Sequence, residues 1–139
     1  MDELNRRILN ILQRDGRISM TDLGKKVSLS VPAVTERVKK LEEQDVITSY
    51  RAIINPNKIN KLVQAYILVK THRCKAFREF CLEHPTVVEC HRLTGEYSYL
   101  VKVVTESNDL LESFIDLTME YGEPYTMMKL SSPISHKVM

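Results

Sequence analysis

Residues 18–47 read ISMTDLGKKVSLSVPAVTERVKKLEEQDVI, and their pattern predicts two short helices joined by a tight polar turn. Ser19 opens the first. In SMTD its side chain can cap the helix, and Asp22 stands at the third helical position, where a carboxylate meets the positive helix end. Leu23 and Val27 face inward, and the helix stops near Ser28-Leu29. Ser30 caps the second helix, with Pro32 tolerated in its first turn. Val34, Val38 and Leu41 form its inward stripe. At about 100° per residue the opposite face holds Pro32, Glu36, Lys39, Lys40 and Glu43, with Ala33 and Thr35 at its edges.

That arrangement delivers a helix to the major groove of double-stranded DNA, with its N-terminal part nearest the base edges. Ala33 and Thr35 suit thymine methyls, and Glu36 can accept a hydrogen bond from cytosine N4. Lys39 and Lys40, further along, suit phosphates. Arg37 lies beside the buried stripe, so an internal pair and a phosphate contact from the edge both stay open. Ser30, Pro32, Ala33, Thr35, Glu36, Arg37, Lys39 and Lys40 are therefore the expected DNA-facing set. The competing reading is a three-helix domain with a merely solvated charged face. The short turn, the capped helices and the charge distribution favour DNA.

Charge supports the same division of labour. Residues 1–61 carry 12 Lys and Arg against 8 Asp and Glu, whereas residues 62–139 carry 8 against 10. The basic half is the half with the two-helix motif. Its excess is modest, which predicts modest non-specific affinity. With 139 residues, 43% hydrophobic and 27% charged, the chain suits one medium or two small globular domains. No apolar run reaches the length of a membrane span. The charged start MDELNRRI argues against a signal peptide, and a cytoplasmic, nucleoid-associated location is expected. Cys74, Cys81 and Cys90 form no CxxC pair and are odd in number, so reduced thiols are expected.

Upstream, Asp2 can cap a helix bearing Leu4, Ile8, Ile11 and Leu12 on one face, ended by Asp15-Gly16. Downstream, ITSYRAII at 47–54 alternates like a strand that would form a small wing. The polar NPNKINK at 55–61 reads as a linker. The expected domains are thus a helix-turn-helix unit at 1–54, the linker at 55–61 and a second unit at 62–139.

In that second unit, 62–72 forms a strand with Val63, Ala65, Ile67 and Val69 on one face and Leu62, Tyr66 and Leu68 on the other. Residues 75–84 form a helix carrying Phe77, Phe80, Cys81 and His84, ended by Pro85. Strands follow at 87–93 and 97–104, joined by a tight turn in which Gly95 can take positive φ. Ser107 caps a helix whose core side is expected to be Leu110, Phe114, Leu117 and Tyr121, ended by Gly122 and Pro124. The last strand is expected at 125–132. The order βαββαβ is the ferredoxin-like arrangement, a four-stranded antiparallel sheet with two helices on one face. The fold class is α+β: a three-helix winged helix-turn-helix joined to a ferredoxin-like domain.

Such a sheet should leave its second face wet. Here Tyr99, Val101 and Val103 oppose Leu100 and Val104, so both faces are apolar. No spare segment remains to cover the second, and a second copy of the chain is the natural cover. A homodimer would present two reading helices to a pseudo-palindrome.

The remaining residues carry little chemistry. Cys90 and His91 are neighbours on a strand and point to opposite faces, so they cannot converge on one ion. His72, His84 and His136 show no ligand spacing, and Met119, Met127 and Met128 suit core or interface filling. With no paired carboxylates, nucleophile–base spacing or phosphate loop, neither an enzyme nor a metal or cofactor is expected. The rival class is a metabolite-binding module that leaves DNA alone, which would leave the basic helices without a role.

These motifs, taken in order, resemble the Lrp/AsnC family of leucine-responsive, or feast/famine, transcriptional regulators. The likeness rests on MDELNRRILNILQRDGRIS, on L-S-x-P-x-V-x-x-R-V-x-x-L-E at Leu29–Glu42, and on TGEYSYLVKV at 94–103. It implies dimers with sheets face to face, further assembly to tetramers or octamers, and an amino acid or similar metabolite bound near the 94–98 turn. Thr94, Gly95, Tyr97 and Ser98 become the candidate ligand residues, though a plain hairpin turn with a packed aromatic explains them equally. A nucleoid-type DNA-wrapping protein without effector is the alternative within the family. Three positions depart from its pattern: Asn5 and Ser98 stand where it usually has Asp, and Asp45 where it usually has Gly. Asp tolerates left-handed backbone better than most residues. Serine at 98 lacks the charge that could hold a ligand's ammonium group.

Overall fold

The computed structural model describes all 139 residues, which fall into two compact units, Met1–Ile53 with Ile134–Met139, and Ile54–Pro133. In the first unit three helices run in sequence: α1 (Glu3–Arg14), α2 (Met20–Val27) and α3 (Val31–Glu43). Each starts at a side-chain cap: Asp2 accepts from the Asn5 N–H, Ser19 from Asp22, and Ser30 from Ala33. Such caps satisfy N–H groups that have no partner inside the helix. The Ser19 hydroxyl also donates to the Asp22 carboxylate at 3.0 Å.

α2 ends with Ser28 in the left-handed region, the Leu29 N–H on the Gly24 carbonyl and the Ser28 N–H on that of Lys25. This is the Schellman closure with serine where glycine is usual. α3 ends in a similar way: Asp45 takes φ of 54° and the Val46 N–H reaches the Leu41 carbonyl. Asp45 thus does what a glycine would do there. Ile8, Leu12, Leu23, Val27, Val34, Val38 and Leu41 form the buried core. That core sets which face of α3 points outward.

The expected wing is absent. Residues 47–54 form no strand, and the segment runs irregularly until a 3₁₀ turn at Pro56–Ile59, within the stretch read as a plain linker. Alternation alone does not make a strand; it needs a ladder partner, and none pairs with this segment. Ile53 and Ile54 stay 89% and 58% exposed, while the Tyr50 hydroxyl is drawn to Glu42 at 2.8 Å.

The second unit is the ferredoxin-like βαββαβ fold: β1 (Val63–Lys70), α4 (Cys74–Glu83), β2 (Val87–Arg92), β3 (Tyr99–Thr105), α5 (Asn108–Thr118) and β4 (Glu123–Met128). The sheet is antiparallel in the order β2-β3-β1-β4. Ala65, Ile67, Val69, Tyr99, Val101 and Val103 face the helices and bury against Phe77, Cys81, Leu111 and Phe114. Tyr99 is fully buried, and its hydroxyl accepts from Arg78 at 3.1 Å.

Two expectations fail in the α5–β4 region. α5 turns Leu111, Phe114 and Thr118 inward and leaves Leu110 and Leu117 at 47% and 43% exposure. Leucines stand at both 110 and 111, so the stripe could be phased either way. The observed phase buries Thr118 at no polar cost, because its hydroxyl donates to the Phe114 carbonyl at 2.9 Å. β4 begins at Glu123 and stops at Met128, earlier at both ends than 125–132, and it takes Pro124 within it. The strand lies at the sheet edge, where a missing N–H is tolerated.

The second face of the sheet carries Tyr66, Leu68, Leu100 and Val104, half-buried, with Tyr125 and Met127 from β4 beside them. Toward β2 it turns polar: Glu89 accepts from His91 at 3.1 Å and pairs with Lys102 at 3.6 Å. His91 first, and Lys102 with it, hold the Glu89 carboxyl below its ordinary value. No segment of the second unit packs over this face.

Candidate nucleic-acid interface and effector turn

With Val34, Val38 and Leu41 buried, the outer face of α3 offers Ser30, Pro32, Thr35, Glu36, Lys39 and Lys40 to solvent, with Ala33 half-buried. The hydroxyl hydrogen of Thr35 is committed to the Val31 carbonyl at 2.7 Å, which leaves its methyl and a lone pair free. Lys40 pairs with Glu36, and Lys39 with Glu43, each at 3.5 Å. Exposed pairs at this spacing contribute only about 0.3–0.5 kcal/mol. Phosphates can therefore draw both lysines away at small cost. Glu36–Lys40 has the favourable order along the helix and Lys39–Glu43 the weaker one, so Lys39 is the more readily redirected.

Arg37 does not join them. Half-buried, it donates to Asp2 at 2.7 Å and to Asn5 at 2.9 Å, both on or beside α1. Of its two open readings, the internal pair is the one realised. It clamps α3 to the start of α1 and holds the Asp2 carboxyl below its ordinary 3.8, with the Asn5 N–H adding to the effect. Asn5 contributes an oxygen where a second carboxylate would have crowded Asp2.

Sequence reasoning missed three supports. Arg7 donates to the Lys26 carbonyl at 3.0 Å and ties α1 to the end of α2. Burial first, and then Glu42, push the Tyr50 phenol up to about 12, so its proton stays on the bond that fastens residues 47–53 over α3. Gly24 sits so close to the turn that a Cβ there would lie 2.7 Å from the Leu29 carbonyl oxygen. The only sequence signal for this last support was a glycine inside a helical pattern.

The 94–98 turn lies in the second unit, between β2 and β3. Gly95 takes φ of 104° with open space around its Cα, and Thr94 and Glu96 are exposed. The Tyr97 ring lies 6.3 Å from that of Tyr125. Ser98 points back into the fold: its hydroxyl donates to the Thr71 carbonyl and accepts from the Thr71 N–H, each at 3.2 Å. Its backbone N–H donates to the Val69 carbonyl at 2.8 Å. Thr94 and Gly95 thus stay open at the turn, whereas Ser98 fastens it to the end of β1.

A three-helix DNA-reading unit and a ferredoxin-like unit with a built turn at 94–98 together define a class of regulator. The profile of the AsnC-type helix-turn-helix domain matches residues 1–42, and that of the Lrp/AsnC ligand binding domain matches 64–139. The chain belongs to the Lrp/AsnC family and is a helix-turn-helix transcriptional regulator. It is 51% identical over 136 residues to the uncharacterized HTH-type transcriptional regulator YezC of Bacillus subtilis, covering 98% of each chain. It is 41% identical over 109 residues to the leucine-responsive regulatory protein of Haemophilus influenzae, covering 73% of this chain and 64% of that one. Among solved structures, Bacillus subtilis LrpC superposes with a TM-score of 0.92 at 29% identity, covering 98% of this chain and 99% of that one. The regulator NMB0573 from Neisseria meningitidis, solved as an L-Met complex, gives 0.90 at 26%, covering 100% and 96%.

Proposed function

We propose that this regulator binds double-stranded DNA in a sequence-specific way as a homodimer, and that an amino acid or related metabolite tunes it through the 94–98 turn. The outer face of α3 carries the reading. It presents Thr35 and Glu36 toward bases and Lys39 and Lys40 toward phosphates, while its inner face is spent on the core. Glu36 leaves Lys40 to accept from cytosine. Arg37 stays home and orients the helix.

The dimer would form through the second sheet face. Tyr66, Leu68, Leu100, Val104, Tyr125 and Met127 give it an apolar centre, and the Glu89–Lys102 pair gives it a polar border. That is the anatomy of an interface. An amino-acid effector is favoured by the open backbone at Thr94-Gly95 and by the L-Met complex of NMB0573. With Ser98 neutral and engaged on Thr71, any ammonium group must find its partner elsewhere. That engagement favours a second reading, an effector-independent DNA-organising protein.

Gel-shift titration against genomic fragments, at two salt concentrations, tests the reading. Salt-sensitive binding with preference among fragments is expected. Binding to none at micromolar protein refutes it. Calorimetry against the twenty amino acids separates the effector-responsive form from the organising one.

A further inference from the structure

Cys81 lies on the inward face of α4, 4% exposed, and Cys90 faces it from edge strand β2, half-exposed. Both thiols line one cavity of about 560 Å³, whose walls include Arg78 and Leu82 of α4, Val88, Glu89 and Arg92 of β2, and Tyr99 of β3. Cys81 belongs to the buried core of this unit, and Cys90 packs against that same core. Cys90 pairs with Val101 on the helix side of the sheet, opposite the apolar face assigned to the dimer, so dimerisation there leaves the cavity open.

We propose that Cys90, with Cys81 behind it, is an oxidant-reactive thiol site that takes a hydroperoxide. The Cys90 thiolate attacks the terminal oxygen of the hydroperoxide. The O–O bond breaks, the alkoxide or hydroxide leaves and takes a proton, and Cys90 becomes a sulfenic acid. The Cys81 thiol then attacks that sulfur. Water leaves with the sulfenic oxygen and the thiol proton, and a disulfide joins α4 to β2. The two thiols give up two electrons in all, and the hydroperoxide accepts both.

The surroundings favour the first step at Cys90 rather than Cys81. The neighbouring Cys81 thiol, then the charges of His91 and Arg78, outweigh burial and lower the Cys90 thiol to about 7, while Cys81 is pushed up. Arg92 and Glu89 line the same cavity from β2, and the Glu89 carboxylate is paired with His91 and Lys102. The cavity thus holds two guanidinium groups, one carboxylate already paired with other cations, and one partly exposed sulfur, an electropositive balance that suits a reactive thiol. Cys74 provides an internal comparison, since its thiol has only a 3.9 Å contact to the Thr71 carbonyl.

The experiment uses the reduced full-length chain and hydrogen peroxide, followed by alkylation and peptide mapping. At pH 7, Cys90 should react with iodoacetamide about sixfold faster than a thiol of ordinary pKa, its larger thiolate fraction offset by lower intrinsic nucleophilicity. Peroxide should then join Cys81 to Cys90 and leave Cys74 free. Cys81→Ser should stop at a dimedone-trapped sulfenic acid on Cys90, and Cys90→Ser should form no bridge. The wild-type comparison of Cys90 with Cys74 stands even if a variant fails to fold. Equal rates at Cys74 and Cys90 overturn the proposal. So does an alkylation midpoint at the ordinary thiol value, or a sulfenic acid that never closes on Cys81.

Discussion

Replacing Gly24 by alanine sets two effects against each other. In an ordinary helix the change stabilises by about 1 kcal/mol, because glycine is the poorer helix former. In α2 the new Cβ would sit 2.7 Å from the Leu29 carbonyl oxygen, a contact real Cβ atoms essentially never make, and 3.5 Å from the Val34 side chain. The obstacle is backbone, and the Leu29 N–H is itself bonded to the Gly24 carbonyl, so the turn cannot swing aside and keep its closure. Overpacking of this kind costs roughly 1–3 kcal/mol, and losing helix-end hydrogen bonds adds about 1 kcal/mol. The sum favours net destabilisation by about 1–3 kcal/mol. Urea unfolding measures it as a lower midpoint at unchanged slope. DNA affinity should fall by more than stability alone explains, because the same turn aims α3. Gly16→Ala is the control: its Cβ meets nothing nearer than 3.7 Å, so it should be neutral or slightly stabilising. A Gly24→Ala protein as stable as the parent, with DNA binding intact, would falsify the claim that close approach fixes the turn.

Other outcomes follow from the same geometry. Lys39→Ala should weaken all DNA sequences about equally and lower the salt slope by about one; loss at one sequence only contradicts its assignment to a phosphate. Leu68→Arg, at the centre of the second sheet face, should yield monomers by light scattering without unfolding the chain, and an unchanged mass rules out that face as the interface. Acid sensitivity should depend on Asp2, whose native carboxyl is held low by Arg37. The stability it contributes is complete above the unfolded value and is lost as pH falls through the lower native one. Arg37→Ala should flatten that acid limb, and identical pH profiles for the two proteins remove the pair from the account.

What could be read from the sequence was local. The caps at Asp2, Ser19, Ser30 and Ser107 depend on residues three positions apart, and the left-handed Asp45 and Gly95 depend on single residues. The two-faced apolar pattern of 62–72 and 97–104 needed only period two. What escaped required distant partners. Arg37 turned inward because Asp2 and Asn5 lie 35 and 32 residues away in sequence yet beside it in space. The bond from the Ser98 hydroxyl to Thr71, 27 residues earlier, is likewise invisible in the sequence. Alternation at 47–54 points to a wing, but no strand pairs with it. On α5 the periodicity admits Leu110 and Leu111 equally, and only packing against the sheet selects Leu111.

The charge on α3 bears on what the proposed dimer would add. Its two outward lysines each begin paired with a glutamate, and its one arginine is used inside the fold. Two phosphate contacts per protomer release about two counterions, so a single copy would show a shallow salt slope and an affinity near that of non-specific binding. Specific regulators bind several orders of magnitude more tightly than that. Joining two copies doubles the phosphate contacts and makes the second contact intramolecular, a gain that needs no new residue. The apolar sheet face and the sparsely charged α3 are then complementary features. A protein with a stronger basic helix could act alone, whereas under the proposed dimer this one would depend on the face that its own second unit leaves uncovered. The salt slope of the wild type should accordingly be about twice that of the Leu68→Arg monomer, and equal slopes would show that the two copies do not share a site.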